Sequence, residues 1–217
     1  MKGIAFLRQE YAGEEGDGQV FPAEPVSLFG NWLEAAIEAK VAEPNAMVLA
    51  TVRADGCPAA RVVLLKDFSE QGFSFFTNYE SAKAQEIRHS RVVALTFHWA
   101  VLCRQVRIEG VAEPVSQEEA DAYFNLRPRG AQLSAWASPQ SQVVESRSVL
   151  EMRYQLIEKQ FEGEQRIPRP PHWGGFRVMP ASIEFWQGRA NRLHDRLRYR
   201  RLAGSEEHKW QRDRLAP

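Results

Sequence analysis

Cationic side chains flank one apolar run in the first third of the chain and recur where the next strand is predicted to end. Arg61 and Lys66 bracket the run VVLL, and Thr77, Ser81 and Lys83 follow the run FSFF. Backbone N–H groups at a helix start favour an anion, and Arg and Lys hold phosphate well. We therefore predict a small-anion site here, with a buried strand bearing charged ends as the alternative. On a regular strand Arg61 and Lys66 point to opposite faces, so one ligand reaches both only where the strand bends or ends.

A second polar group lies near the C-terminus, in the run RLHDR at 192–196. Four polar residues in five make a poor core strand. In extended geometry Arg192, His194 and Arg196 share one face, which predicts a cationic surface with one titratable imidazole. An ordinary surface strand is the alternative.

Two further pairs have groups suited to contact with a flat heterocycle. Gln140-Ser141, at a predicted helix start, supplies an amide and a hydroxyl. Trp186-Gln187, at a predicted strand end, supplies a ring and an amide. A helix cap and a core tryptophan are the respective structural alternatives.

The usual catalytic motifs are absent from the sequence, which has no GxSxG, no HExxH and no GxGxxG. Cys57 and Cys103 lie in no CxxC or Cys/His cluster. We therefore predict no metal site and no disulfide scaffold, and we expect a reducing, cytoplasmic compartment. Phosphate-binding groups without a nucleophile indicate that a bound cofactor carries the chemistry.

Short strands with helices between them must position these residues. The predicted strands cover residues 46–53, 59–66, 73–77, 91–99, 104–112, 175–178, 182–187, 192–201 and 208–215. The predicted helices cover residues 27–41, 79–89, 116–126 and 141–161, the last with core positions Val144, Leu150, Leu156, Ile157 and Phe161. The run SQEE at 116–119 predicts a capping box for the third helix, and Asp55-Gly56 predicts a tight turn between the first two strands. Over 104–112, alternation of polar residues with Val106 and Ile108 predicts one polar and one core face. The fold class is therefore α+β, mainly antiparallel β, built on a barrel with peripheral helices and not on Rossmann βαβ units.

Composition limits the classes of partner. The 217 residues include 28 Lys and Arg against 28 Asp and Glu, so nucleic acid is not indicated. No stretch reaches the roughly 18 apolar residues of a membrane helix, so no membrane partner is predicted. Residues 1–45 have three basic against eight acidic residues, whereas residues 189–217 have nine against four. We expect residues 1–24, which are acidic and Gly-rich, to be mobile, followed by a single domain over 25–217.

Several passages, in this order and spacing, resemble the pyridoxamine 5′-phosphate oxidase family over nearly the whole chain. They are RVVLLK at 61–66, FFTNYESAK at 75–83, RQVRIEG at 104–110, YFNLRPRGAQLSAWASPQS at 123–141, WGGFRV at 173–178, EFWQGRANRLHDR at 184–196 and RLAP at 214–217. The resemblance implies an FMN-binding split β-barrel that forms a homodimer with FMN in clefts at the subunit interface, its dimerisation region covering about 173–217. It also implies oxidation of pyridoxamine or pyridoxine 5′-phosphate to pyridoxal 5′-phosphate, with O₂ reoxidising the flavin and yielding H₂O₂.

The resemblance implies a set of site residues as well. The implied FMN contacts are Arg61, Val62, Val63, Leu64, Leu65, Lys66, Phe76, Thr77, Lys83, Gln105, Gln140, Ser141, Trp186 and Arg196. The implied substrate contacts are Lys66, Tyr123 and Arg127 at the phosphate, Arg192, Leu193 and His194 beside the pyridine ring, and Arg8, Gln9, Glu10 and Tyr11 as a lid. Arg192 and His194 are the implied catalytic residues.

Two positions depart from the family pattern. Ala82 stands where the family commonly has Arg, and Ala131 stands where it commonly has Ser. Each change removes one phosphate contact, worth about 1–3 kcal/mol. Two other readings stay open: the related flavin oxidase of phenazine biosynthesis, and a non-catalytic carrier of flavin or pyridoxal phosphate on the same fold.

Overall fold

A computed structural model describes Tyr11, residues 22–202 and residues 209–217. Most of the predicted mobile segment, including Arg8, Gln9 and Glu10, lies outside the described residues. Within the described residues the chain forms five α-helices and nine strands. The helices are α1 Pro25–Glu38, α2 Ala82–His89, α3 Gln117–Leu126, α4 Arg129–Ala137 and α5 Arg147–Gln160. The strands are β1 Ala46–Val52, β2 Pro58–Leu64, β3 Asp67–Ser69, β4 Gly72–Asn78, β5 Val92–Trp99, β6 Arg104–Pro114, β7 Trp173–Gln187, β8 Asp195–Arg201 and β9 Trp210–Arg214.

The strands form one antiparallel sheet that divides along β7. The order is β2-β1-β5-β6-β7-β4-β3, and β8 also pairs with β7 and carries β9. On the edge of β7 away from β6, residues 173–178 pair with β4, whereas residues 182–187 pair with β8. Just beyond β2, the Lys66 backbone N–H donates to the Ser74 carbonyl at 2.9 Å, which brings the end of β2 against β4. The predicted split barrel is confirmed, and its closure places Lys66 beside the strand that carries Phe76 and Thr77.

The main core lies between α1 and the inner faces of the strands. Phe29 of α1 is fully buried and contacts the rings of Phe73 and Phe97 at centroid distances of 4.9 and 5.0 Å. On β6 the buried Val106 and Ile108 alternate with exposed residues, as predicted. A smaller apolar cluster beneath α3, α4 and α5 includes Phe124, Leu133, Phe161, Ile167 and Trp173. This second cluster supports the wall of the site described below.

Local signals in the sequence account for several element ends. The Ser116 side chain accepts from the Glu119 N–H, and the Glu119 carboxylate accepts from the Ser116 N–H, so the predicted capping box begins α3. Asp55 accepts from the Cys57 N–H at 2.9 Å, and Gly56 has φ 81°, so the predicted turn joins β1 to β2.

The predicted long helix over 141–161 is wrong in its first part. α5 begins at Arg147, because Ser146 caps it by accepting from the Val149 N–H, and Ser141 lies in a turn with φ 70°. Of the predicted core positions Val144, Leu150, Leu156, Ile157 and Phe161, only Phe161 is buried. The sequence analysis also missed α4, whose first turn contains Gly130, two residues after Pro128.

Two strand predictions need correction. The strands predicted at 175–178 and 182–187 are one strand, β7, which continues through Pro180 because the ladder with β6 shifts register between Glu109 and Gly110. A Cβ on Gly110 would lie 2.1 Å from the Met179 carbonyl oxygen, so only glycine fits there. The strand predicted from Arg192 starts at Asp195 instead.

Candidate active site

A cavity of about 610 Å³ opens beside β2, β4, α3 and α4. It brings together a large part of the predicted site, namely Val62, Val63, Leu64, Lys66, Phe76, Thr77, Lys83, Tyr123, Arg127 and Gln140. The described lining residues include three cations and no Asp or Glu. The cavity is therefore suited to anions, with aromatic rings on one wall. A cavity of about 720 Å³ elsewhere, beside the start of α3, contains none of the predicted site residues.

One end of the cavity is built around the start of α2. The Lys83 ammonium donates to the Thr77 hydroxyl at 3.2 Å and to the Ser81 hydroxyl at 3.4 Å. The Gln140 side-chain oxygen accepts from the Thr77 hydroxyl and the Asn78 N–H, both at 3.3 Å. These contacts fix a group of polar donors where the N-terminus of α2 adds its own positive field.

Desolvation and a neighbouring cation both act on Lys83. Burial lowers the pKa of Lys83, and the Arg61 charge lowers it further, while the Glu86 carboxylate raises it. A cation that is half-buried without a carboxylate in direct contact gains from a bound anion, because the anion restores the charge balance. The start of α2 is therefore suited to an anion.

Arg61 lies behind this end of the cavity and does not line it. Its guanidinium pairs with Glu86 at 2.7 Å and donates to the Thr51 hydroxyl, which in turn donates to the same carboxylate. The Arg61 and Glu86 side chains are 22% and 11% exposed, so this ion pair is well shielded. Glu86 therefore offsets the charge of Arg61 and holds its guanidinium beneath β1 and β2.

The other end of the cavity has an aromatic wall. The rings of Phe76 and Tyr123 stack at a centroid distance of 4.1 Å, and Trp173 is nearly parallel to Phe76 at 5.5 Å. The Arg127 guanidinium lies over the Trp173 ring at 4.7 Å. The Lys66 ammonium lies 5.9 Å from the centre of the Tyr123 ring. Two cations and a phenol thus converge on the same side of the cavity.

Arg127 has a buried donor that an anion would satisfy. Burial lowers the pKa of Arg127, and its Nη1 atom is buried without a hydrogen-bond partner in the structure. A buried guanidinium donor without an acceptor is costly, since a desolvated charge needs a partner. A phosphate or carboxylate bound in the cavity would provide one.

The predicted C-terminal residues form a separate cluster near the far end of β7. The Trp186 and His194 rings lie 4.7 Å apart, and Tyr11 contacts both edge-on at 5.5 and 5.6 Å. The Arg189 N–H donates to His194 Nδ1 at 3.0 Å, which assigns the proton of a neutral imidazole to Nε2. Gln105 lies opposite Trp186 in the β6–β7 ladder.

The backbone at Arg192 differs from the predicted strand. Residues 190–192 form a short 3₁₀ turn in which Arg192 has φ 61°, so Arg192, His194 and Arg196 do not share a strand face. Arg192 is exposed, and Leu193 is 71% exposed. Arg196 donates to Glu184 at 2.8 Å and to the Ala216 carbonyl at 2.9 Å, which ties the C-terminus to β8.

The remaining predicted residues lie outside both groups of side chains. Leu65 is buried in the main core, and Ser141 is exposed in the turn after α4. His194 and Leu193 line a cavity with Arg214 and the C-terminal residues, not the one that contains Arg127. β7 joins the two groups, with Trp173 at its start and Trp186 near its end. At roughly 3.3 Å per residue its 15 residues span about 50 Å of strand.

Sequence reasoning missed several residues of the site. Asn78, Ser134, Ser138 and Trp173 line the cavity, and Glu86 and Glu184 pair with predicted contact residues. Trp173 begins the motif WGGFRV, and Ser134 and Ser138 follow Ala131 at helical spacing. These two sequence features could have identified the three residues. Glu184 begins the quoted passage EFWQGRANRLHDR, whereas Glu86 lies in none of the quoted passages. Neither ion pair could be read from the sequence, because ion pairs between separate elements depend on the fold.

Neither a metal centre nor a membrane-crossing helix is found in the part of the chain that the structure describes. It holds no group of three or more His, Cys, Asp or Glu side chains arranged for a metal ion. None of its helices is both long and apolar enough to cross a bilayer.

Solved structures share this architecture. PhzG from Burkholderia lata 383, crystallised with tetrahydrophenazine-1-carboxylic acid, superimposes with a TM-score of 0.87 at 29% identity and covers 96% of this chain and 100% of its own. A pyridoxamine 5′-phosphate oxidase-related, FMN binding protein from Nostoc punctiforme has a TM-score of 0.69 at 18% identity and covers 91% and 100%. The divided sheet and these likenesses place the chain in the FMN-binding split β-barrel fold class.

Sequence relatives define the family. Residues 33–161 match the family described as pyridoxamine 5′-phosphate oxidase, and residues 173–217 match the pyridoxine 5′-phosphate oxidase C-terminal dimerisation region. A relative from Gloeothece citriformis, named pyridoxine/pyridoxamine 5′-phosphate oxidase, is 54% identical over 99% of this chain and 98% of its own length. One of the same name from Rubrobacter xylanophilus is 55% identical over 99% and 96%. The chain belongs to the pyridoxine/pyridoxamine 5′-phosphate oxidase family, which confirms the resemblance.

Proposed function

We propose that this protein is an FMN-dependent oxidase that converts pyridoxine or pyridoxamine 5′-phosphate to pyridoxal 5′-phosphate. With the alcohol, O₂ is reduced to H₂O₂; with the amine, water is also consumed and ammonia released. The single observation that carries the proposal is the cavity itself. It combines three cations, no described carboxylate and a parallel set of aromatic rings in a chain of this family.

The residues present fit FMN. Lys83 is half-buried with hydroxyl groups around it, and Gln140 and the N-terminus of α2 border the same space. We assign the FMN phosphate to Lys83, Thr77 and this helix N-terminus, and the ring region to Val62–Leu64. The chemistry that FMN supplies when bound is two-electron oxidation of the substrate carbon.

The opposite end of the cavity fits the substrate phosphate. Arg127 has a buried donor without a partner, Lys66 has no ion pair in the described structure, and the Tyr123 hydroxyl lies on the same wall. These groups hold the phosphate at a distance from the reacting carbon, so their binding energy orients the substrate. The aromatic wall excludes water from one side of the site.

A homodimer explains why the predicted residues form two separate groups. The described chain has His194 at a different cavity from Arg127, with the exposed Arg192 two residues before it, yet the family pattern assigns all three to one substrate. A second copy can place its Arg192–His194 turn over the cavity of the first, and the exposed Val62 and Leu193, at 65% and 71%, are then covered. Residues 173–217 match a dimerisation region, which supports this arrangement. We assign FMN to the interface between the two copies.

Within that arrangement Arg192 and His194 act on the substrate ring. The exposed Arg192 guanidinium orients the substrate ring and offsets the negative charge of its phenolic oxygen. His194 Nδ1 accepts from a backbone N–H, so its Nε2–H is the group available to donate to the substrate's phenolic oxygen.

Phenazine oxidation is the second candidate, because the PhzG structure is so similar in fold. That relative is 29% identical, whereas the relatives named for the vitamin B6 phosphates reach 54–55%. The cation pair Lys66 and Arg127 also favours a phosphorylated substrate over a phenazine carboxylic acid without a phosphate.

Purification and turnover test the proposal. The protein should be yellow or become yellow with added FMN, and should produce peroxide with pyridoxine or pyridoxamine 5′-phosphate but not with the dephosphorylated vitamers. Flavin-loaded protein without oxidase activity would identify a carrier, and activity with a dihydrophenazine alone would identify the second candidate. Protein that cannot be reconstituted with FMN would overturn all three assignments.

A further inference from the structure

We propose that Trp173 is a positioning residue for the substrate phosphate, because its indole holds the Arg127 guanidinium with its hydrogen-bonding edge towards the cavity. This inference rests on the proposed function and assigns a role to a residue outside the predicted contact set. Its basis is the stacking of Arg127 on Trp173 at 4.7 Å, together with the buried and unpartnered Nη1 atom.

The faces of a guanidinium pack on aromatic rings, whereas its edge donates hydrogen bonds. Its planar faces pack on aromatic rings through cation–π attraction, while its five N–H donors point outwards in the plane. Arg127 lies over Trp173 and also within 5.6 Å of the Phe124 ring. Since the Trp173 ring packs against the guanidinium, the in-plane donors remain available to phosphate oxygens.

Trp173 is itself held firmly. Its ring is 6% exposed and lies against Phe76. The Trp173 backbone N–H donates to the Pro170 carbonyl at 3.0 Å, and the Trp173 backbone carbonyl accepts from Arg169 at 2.6 Å. Arg169 in turn pairs with Asp121 of α3 at 2.6 Å. The Trp173 backbone is thus tied to the helix that carries Tyr123, and the buried indole, packed on Phe76, gives the long Arg127 side chain a preset orientation.

The Trp173 indole should affect the affinity for the substrate phosphate more than the rate of oxidation. A free arginine must lose rotamer entropy when it grips a phosphate, whereas a stacked one has lost it already. Removal of the indole should therefore weaken phosphate binding, with little effect on the oxidation step or on FMN at the Lys83 end. Cation–π contacts of this kind are worth about 1–2 kcal/mol, so the effect should be about tenfold.

The test uses FMN-loaded enzyme and a double-mutant cycle. We expect Trp173→Leu to raise both the KM for pyridoxine 5′-phosphate and the Kd for pyridoxal 5′-phosphate about tenfold, with kcat and the FMN Kd changed less than about twofold. Trp173→Phe keeps a ring and should raise both values about threefold. In an Arg127→Ala background, neither substitution should weaken binding further.

Trp136 provides a matched control. It packs in the same apolar cluster and donates to the Pro168 carbonyl at 2.9 Å, and it has no contact with Arg127 among the described residues. Trp136→Phe should leave KM unchanged in both backgrounds. If Trp173→Leu does not fold, the effect of Trp173→Phe is compared between the wild-type and Arg127→Ala backgrounds, and this comparison tests the inference alone.

Two results would overturn the inference. One is an equal loss with and without Arg127; the other is a rise in the FMN Kd as large as the rise in KM. Competition of inorganic phosphate with pyridoxal 5′-phosphate measures the same coupling between Trp173 and Arg127 without turnover. A chain that bound phosphate through Arg127 and Trp173 but did not oxidise the vitamer would refute the proposed function and leave the role of Trp173 intact.

Discussion

Replacement of Lys83 by glutamine separates the two anion sites of the cavity. Lys83 makes hydrogen bonds to two hydroxyl groups and lies at the start of α2, opposite the wall formed by Tyr123 and Trp173. A hydrogen bond to a charged group contributes about 1.5–3 kcal/mol, and the partial burial of Lys83 limits solvent screening. Since 1.4 kcal/mol is tenfold in affinity, Lys83→Gln should raise the FMN Kd about 10- to 100-fold.

The assay is titration of apoprotein with FMN, followed by flavin fluorescence, and then turnover at saturating FMN. Lys83→Gln should keep the wild-type KM for pyridoxine 5′-phosphate once FMN is saturating. Arg127→Gln should show the reverse pattern, with a raised KM and an unchanged FMN Kd. Lys159→Gln, on the exposed face of α5, is a charge-matched control that should change neither value. An FMN Kd within twofold of wild type for Lys83→Gln, or equal effects of both site variants, would refute the assignment.

Four further outcomes follow from the same geometry. Burial lowers the pKa of Lys83 below 10.5 in the free protein, and bound phosphate should raise it again. FMN affinity should therefore be full below the pKa of the free protein and should fall as the pH rises above that pKa. Lys83→Arg should abolish the fall in FMN titrations at different pH. Ala131→Ser should lower the KM about fivefold by adding a hydroxyl to the phosphate wall. Arg192→Ala should reduce kcat far more than FMN content, and equal losses would contradict its role. Ser116→Ala should lower the free energy of unfolding by about 1 kcal/mol in urea, because the α3 capping box is lost.

Elements with local signals were predictable from the sequence. The alternation on β6, the Asp55-Gly56 turn and the Ser116 capping box each act within a few residues, so the chain specifies them locally. The start of α5 was not predictable in this way, because Ser141 and Ser146 are equally good caps by type. Its exposed surface also gives no core pattern to fix the helix bounds.

The candidate site likewise contains residues that the sequence predicted and residues that only the fold reveals. Lys66, Lys83 and Arg127 were identified from residue type and motif, and the fold brings them to one cavity. Ion-pair partners of the predicted residues, such as Glu86 beside Arg61, come from separate elements and carry no sequence signal. The turn at Arg192 differs from the predicted strand because two successive residues, Asn191 and Arg192, have positive φ, which alternation of residue types does not reveal.

Complementation between two impaired variants, one in substrate binding and one in turnover, tests the central claim, that one substrate is held by residues of two copies. Arg127→Ala and Arg192→Ala chains carrying different tags are co-expressed, and the doubly tagged dimer is purified. If each site takes Arg127 from one copy and Arg192 from the other, the mixed dimer has one intact site, and at subsaturating substrate it should show about half of the wild-type kcat/KM per dimer. A mixed dimer no more active than either mutant homodimer would contradict the account.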